Sequence, residues 1–220
     1  MKHPIVVAMT GASGAVYGVR LLEVLLQDGC EIHLTISPSG KEVIAQELAR
    51  TVDLEDFCLD CLLASRDVRG KVHYHHYADL LSPIASGSHL TSGMVICPCS
   101  GGTLSAVALA SGGNLIHRAA DVHLKEGRKL ILVPRETPLS LPQLDNMRRA
   151  TKAGAVVLPA SPGWYHGVRS LQDLVDFVVA RILDQLEISH SLMRRWGEDG
   201  RTNDEGRRTK GGDTPTRPDH

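Results

Sequence analysis

Short apolar runs alternate with amphipathic stretches along most of this chain. Ile5–Thr10 is a brief apolar run closed by a hydroxyl, of a length that suits a buried strand. In Ala15–Gln27, Val16, Val19, Leu22, Leu25 and Leu26 fall on one stripe at helical spacing. Glu31–Ser37 puts Ile32, Leu34 and Ile36 on one face of a strand. Pro38 suits a helix start, and Ser39-Gly40-Lys41-Glu42 has capping-box spacing. Residues 51–70 are mixed helix and loop. Val72–Tyr77 reads as a strand, 79–93 as a loop rich in Ser and Gly, Met94–Cys97 as a strand and Thr103–Ala110 as a helix of small residues. A short helix over Ala119–Glu126 precedes a strand over Lys129–Pro134. Ser140–Ala153 predicts a helix capped by Ser140, and Ala155–Pro159 the last strand. Over Ser170–Glu187, Leu171, Leu174, Val175, Val178, Ile182 and Leu186 keep helical period, with Ser170 and Asp173 near capping-box spacing. Strands alternating with helices predict βαβ units, hence an α/β domain over residues 1–196 with a parallel sheet and helices on both faces.

The pattern stops at Gly197. From there to His220 no residue belongs to the apolar set, so burial cannot offset the entropy of ordering. We expect 197–220 to be a polar, disordered tail. Composition narrows the function classes. A formal net charge of −1 gives no electrostatic basis for nucleic-acid binding. No apolar run approaches the length of a membrane span, and the N-terminus is too abrupt for a secretory signal. With an odd count of five cysteines, the expectation is a reduced, cytoplasmic protein. Cys58-x-x-Cys61 has redox or zinc spacing but no second pair, and its apolar neighbours Phe57 and Leu62 favour packing. Cys97-Pro98-Cys99 also reads as packing. His73 and His75 share a strand face with no carboxylate partner in view, so no metal is expected there.

Ligands of open α/β sheets sit beyond the carboxyl ends of the strands. After the first strand comes Thr10-Gly11-Ala12-Ser13-Gly14-Ala15, opening a helix. Glycine lets the backbone approach an anion, and a helix N-terminus offers N–H groups and positive potential. The alternative is an ordinary strand-to-helix turn. Thr35-Ile36-Ser37 ends the second strand where a dinucleotide site wants an acid for the ribose, which favours a mononucleotide phosphate over NAD. Cys97-Pro98-Cys99-Ser100-Gly101-Gly102-Thr103 again brings hydroxyls to a helix start. Pro134-Arg135-Glu136 ends the next strand, and Arg118, Asp121 and Lys125 precede that strand. Each of these charges, taken singly, could be a surface ion pair. Pro159–His166 is a stiff loop presenting Trp164 and Tyr165.

Together these motifs closely resemble the UbiX-type flavin prenyltransferases, long labelled phenylacrylic acid decarboxylases. The matching pieces are Thr10–Ala15, Ser86-Gly87-Ser88, Cys97–Ser105, Arg118–Glu126, Val133–Pro138, Pro162–His166, Asp173–Phe177 and Arg195-Trp196-Gly197. The resemblance implies a single-domain, three-layer Rossmann-like or flavodoxin-like fold in a homo-oligomer, usually a dodecamer. It implies non-covalent FMN and no metal. The reaction it implies joins the dimethylallyl group of dimethylallyl phosphate to N5 and C6 of reduced FMN, giving prenylated FMN for a UbiD-type decarboxylase. Without a metal, side chains must neutralise the departing phosphate, which carries about −1.5 to −2 near neutral pH. By resemblance Lys125, Arg135 and Arg181 do so, with Arg118 in support and Ser13 and Tyr165 on the same phosphate. Glu136 is implied as proton donor and acceptor, Glu47 as a glutamate near the site, and Trp196 as a π face over the prenyl group. The FMN phosphate and ribityl chain are assigned to Gly11, Ala12, Ser13, Ser37, Ser100, Gly101, Gly102, Thr103 and Arg135.

Two rival readings share the fold. An FMN-dependent decarboxylase of the phosphopantothenoylcysteine type needs a Pro-x-Met-Asn clamp, and Leu144-Asp145-Asn146-Met147 lacks it. A flavin-binding protein without catalysis would leave Arg118, Lys125, Arg135 and Glu136 superfluous.

Overall fold

The computed structural model of the chain describes residues 3–63, 68–165 and 167–193. The expected polar tail, Trp196 and His166 lie outside them. Six strands form one parallel sheet: β1 Ile5–Met9, β2 Glu31–Ile36, β3 Lys71–Tyr74, β4 Gly93–Cys99, β5 Leu130–Pro134 and β6 Val156–Val157. Their spatial order is β3-β2-β1-β4-β5-β6. The chain winds outward from β1 to β3, returns to lay β4 on the other side of β1, and winds outward again. The place where that direction reverses, between β1 and β4, is where such sheets open a crevice at their carboxyl ends.

The helices are α1 Ala15–Gln27, α2 Pro38–Leu48, α3 Leu59–Leu62, α4 Gly101–Ala108, α5 Leu115–Lys125, α6 Leu141–Lys152 and α7 Leu171–Gln185. Because both sheet faces are covered, β1 is buried along its whole length rather than at alternate positions. One apolar layer joins Val7, Ile32 and Leu34 of the sheet to Leu22 and Leu26 of α1 and Val178 and Ile182 of α7. The other joins Val6, Met94 and Ile96 to Leu104 of α4 and Ile116 and Ala119 of α5. An ion pair from Arg20 Nε to Asp176 Oδ1, 2.7 Å, ties α1 to α7.

Several boundaries differ from the sequence expectation, each for a local reason. The cap of α2 is Ser37, not Ser39; its hydroxyl accepts the N–H of Gly40 at 3.0 Å, with Pro38 as first helical residue. Helix α5 starts at Leu115, ahead of Ala119, because the Asn114 side chain accepts the N–H of His117. The third strand ends at Tyr74, since it pairs on one side only, with β2. Cys97 and Cys99 are both packed, and on opposite faces, because the register of β4 on β5 shifts between Ile96 and Cys99 and interrupts the alternation that puts residues two apart on one face. Cys58 and Cys61 do not pack: both are exposed, because α3 is a four-residue surface helix that buries Leu62 alone. His73 does have a carboxylate partner, Glu31, at 2.8 Å across the β2–β3 pair. Among the described residues, no three His, Cys, Asp or Glu side chains are grouped to hold a metal. No helix among them is long and apolar enough to cross a membrane.

Candidate active site

At the reversal point, Thr10 is the joint between the first and fourth strand ends. Its hydroxyl donates to Pro98 O at 2.8 Å and accepts the N–H of Ser100 at the same distance. The two polar loops after β1 and β4 are thereby locked side by side. Ser100 then caps α4, accepting the N–H of Thr103, and its hydroxyl bonds that of Thr103 at 3.0 Å. On the other side of β1, Ser37 and Ser39 place their hydroxyls 3.2 Å apart. Gly11 faces them so closely that an added Cβ would lie 2.5 Å from the Ser39 side chain. Only glycine fits that position.

The start of α1 is not an open anion site. Glu47, near the end of α2, accepts the N–H groups of Gly14 at 2.9 Å and Ala15 at 2.8 Å. Burial alone would push this carboxyl up. Hydrogen bonds from Ser13, Gly14 and Ala15, with Arg135 nearby, outweigh that and hold it below the usual carboxylate range. The helix end therefore carries its own anion, and the N–H groups that sequence reasoning offered to a phosphate are taken. Arg135 crosses from the end of β5, and its Nε donates to Ser13 O at 3.1 Å. Ser13, Glu47 and Arg135 thus form one cluster. Glu136 turns to the other side of β5, where Gln143 Nε2 donates to its Oε2 at 3.4 Å. A cleft of about 120 Å³ runs between Arg135, Glu136, Leu139, Met147 and Ser161.

The remaining cations lie elsewhere on the chain. Lys125 closes α5 before β5 begins, whereas Arg135 follows the last residue of β5. A five-residue strand spans ~16 Å, so the two lie at opposite ends of the sheet. Lys125 contacts Glu126, and both pack against Gly87, where an added Cβ would meet Glu126 Oε1 at 2.2 Å. Arg118, on the same helix, donates to Ala85 O at 3.1 Å and Asp121 Oδ2 at 2.9 Å. The Ser86-Gly87-Ser88 loop, Arg118 and Lys125 therefore make a second basic corner. Arg181 sits on α7, in the opposite helical layer from α5, bonded to Asp184 at 2.6 Å. Tyr165 is exposed, edge-on to Phe177 with centroids 5.8 Å apart. Sequence reasoning missed Gln143 and the linking role of Thr10. The first was legible as the partner of the Ser140 cap, while the second depends on β4 lying beside β1.

Comparison with known proteins agrees with this fold. The profile of the Flavoprotein family matches residues 1–183. A flavin prenyltransferase UbiX of Halalkalibacterium halodurans is 48% identical over 193 residues, covering 88% of this chain and 93% of its own. The crystal structure of AnUbiX (PadA1) in complex with FMN and dimethylallyl pyrophosphate superposes with a TM-score of 0.78. It is 38% identical over 89% of this chain and 98% of its own. A dodecameric FMN-dependent UbiX-like decarboxylase from Escherichia coli O157:H7 is 40% identical with a TM-score of 0.75, over 88% and 98% of the two chains.

Proposed function

This chain belongs to the UbiX flavin prenyltransferase family of flavoproteins, and from that premise we propose how its residues divide the work. The acceptor is reduced FMN and the donor a dimethylallyl phosphate. The crevice between the ends of β1, β2 and β4 suits the FMN phosphate and ribityl chain: neutral hydroxyls at Ser37, Ser39, Ser100 and Thr103, a close backbone approach at Gly11, and Arg135 at the rim. Reduced FMN supplies the nucleophilic N5 and C6 positions. Glu47 fixes the Ser13 loop by holding Gly14 and Ala15, so that Ser13 and Arg135 stay together. Glu136, steadied by Gln143, is the group placed to give a proton to the departing phosphate and take one from the flavin.

One observation carries the rest. Lys125 with Ser86-Gly87-Ser88 and Arg135 with Ser13 lie at opposite ends of one sheet, so one copy cannot close both on the same phosphate. We infer that the complete site forms between copies, in a homo-oligomer that is a dodecamer. The exposed Leu80, Leu81 and Leu90, flanking the Lys125 corner, supply apolar surface for such contacts. In the assembled site Lys125, Arg118 and Arg181 neutralise the leaving phosphate, Tyr165 donates a hydrogen bond to it, and Trp196 is the residue assigned to the prenyl group. The enzyme acts without a metal, in the cytoplasm, and its product is prenylated FMN for a UbiD-type decarboxylase. Residues 1–196 form the catalytic domain and 197–220 a polar tail. Mixing tests the reading. Lys125→Ala and Arg135→Ala proteins, each inactive alone, regain part of the wild-type turnover when unfolded and refolded together. Failure to regain any, with mixed oligomers shown to form, overturns the shared site.

A further inference from the structure

Four histidines meet on the face of β2 and β3 opposite to Ile32 and Leu34. His33 of β2 lies beside His73 of β3 in register. Its ring is 4.9 Å from that of His75 with an interplanar angle of 4°, and its Nδ1 is 2.7 Å from His75 Nε2. His73 stacks on it at 5.1 Å, and His89 approaches edge-on at 4.9 Å. His33 is buried, and the Nε2 of His89 is buried with no partner among the described residues. The His33 and His75 nitrogens meet in one hydrogen bond, and no group that could hold a metal is found among the described residues.

His75 and His89 belong to the segment 75–92, which crosses this face. The same segment carries Ser86-Gly87-Ser88 and is clamped on its other side by two arginines. Arg118 bonds Ala85 O, and Arg128 bonds Gly87 O and His89 O. A 2.7 Å contact between two imidazoles needs one N–H and one bare nitrogen. The pair keeps that bond with one proton added, at the far nitrogen of one ring. A second proton leaves two N–H groups facing each other.

We propose that His33, His75 and His89 form an acid-operated latch: while the pair is not doubly protonated it holds 75–92 on the sheet, and double protonation releases that segment before the sheet unfolds. The groups facing His33 are His75, His89 and His73, which oppose its charging, and Glu31, which favours it. His75 faces His73, His89 and Asp79, of which Asp79 alone favours its charging. Burial first, and then the other imidazoles, pull His33 down to about 4, and His75 is also lowered, chiefly by burial. A freed His33 would titrate near 6.5, so acid favours the open form. The placement of Ser86-Gly87-Ser88 against Lys125 follows the latch; its bearing on turnover rests on the function proposed above.

Hydrogen exchange of the full-length protein, corrected for intrinsic rates, tests this. Between about pH 7.5 and about pH 5, opening of 75–92 should rise by up to roughly thirtyfold while β1 and β4 keep their protection. In His33→Gln, which can still donate to His75 but cannot titrate, the acid-driven rise in opening of 75–92 should fall well below that of wild type, leaving the share that His75 contributes. No rise in wild type, an equal rise in His33→Gln, or simultaneous loss across the sheet overturns the latch. If His33→Gln does not fold, the wild-type imidazole titration decides: His33 titrating near 6.5 overturns it, and titration near 4 supports it. A released segment with undiminished turnover leaves the latch standing and removes Lys125 from the reaction instead.

Discussion

The carboxylate of Glu47 accepts the backbone N–H of Ala15 at 2.8 Å, so a side chain of α2 caps the helix that leaves β1. A glycine-rich loop opening a helix invites a phosphate. Here the helix end is already neutralised, and the ligand side of the loop is left to Gly11, Ser13 and Arg135.

Removing that cap should loosen the loop more than the fold. Glu47→Ala is expected to cost about 1 kcal/mol of stability, discounted for its exposure, and to weaken FMN binding several-fold. Glu47→Gln, which keeps an acceptor, should fall between. Titration of FMN fluorescence reads the affinity and urea unfolding the stability. Tight FMN binding in Glu47→Ala would count against its positioning role.

Gly11→Ala places a Cβ 2.5 Å from the Ser39 side chain. The substitution should reduce FMN affinity at least tenfold, since the start of α2 must move. Adding Ser39→Gly should restore most of it. A double variant no better than the single one would show that crowding at Ser39 is not the cause.

Arg20 and Asp176 are both partly buried, and the hydrogen bond that Arg20 donates to Asp176 raises its guanidinium above the usual value. Arg20→Ala takes the cation from the Asp176 carboxylate between α1 and α7 and leaves it the hydrogen bond from Gln172. The expected loss is about 2 kcal/mol, seen as a Tm lower by roughly 5 °C. Arg20→Ala with Asp176→Ala should recover part of it.

His123 is buried on α5, its Nε2 2.8 Å from the Thr91 hydroxyl. Burial holds it down to about 4, despite the Ala119 carbonyl, which favours its charge. A depressed histidine binds fewer protons folded than unfolded, so its stabilisation is present above about 6.5 and lost as pH falls toward about 4. Over that window wild type should lose about 3 kcal/mol at this site, measured by urea midpoints. His123→Gln should flatten the curve.

Turnover should survive a chelator, because the cations assigned to the phosphate are side chains. Glu136→Gln keeps its bond to Gln143 but cannot carry a proton, so turnover should drop at least a hundredfold with FMN affinity unchanged. Prenylated flavin released under anaerobic conditions, weighed by mass spectrometry, is the readout for both.

Local pattern was enough to determine the alternation, the parallel sheet and most helix ends. Strand runs such as Ile5–Met9, stripes such as Leu22, Leu25 and Leu26, and the caps at Ser140 and Ser170 act within a few residues of themselves. The motifs at the strand ends were legible for the same reason, since each is a continuous stretch. What they do to one another was not. Glu47 capping α1, Thr10 joining β1 to Ser100, and His33 meeting His75 and His89 all join residues that are distant in sequence. The separation of Lys125 from Arg135 is the clearest case. The two are ten positions apart, and both looked like members of one phosphate site. A strand lies between them, and its length carries one to each end of the sheet. Only the tertiary structure could decide that, because periodicity records which face a residue takes, whereas topology sets which end of the sheet it reaches.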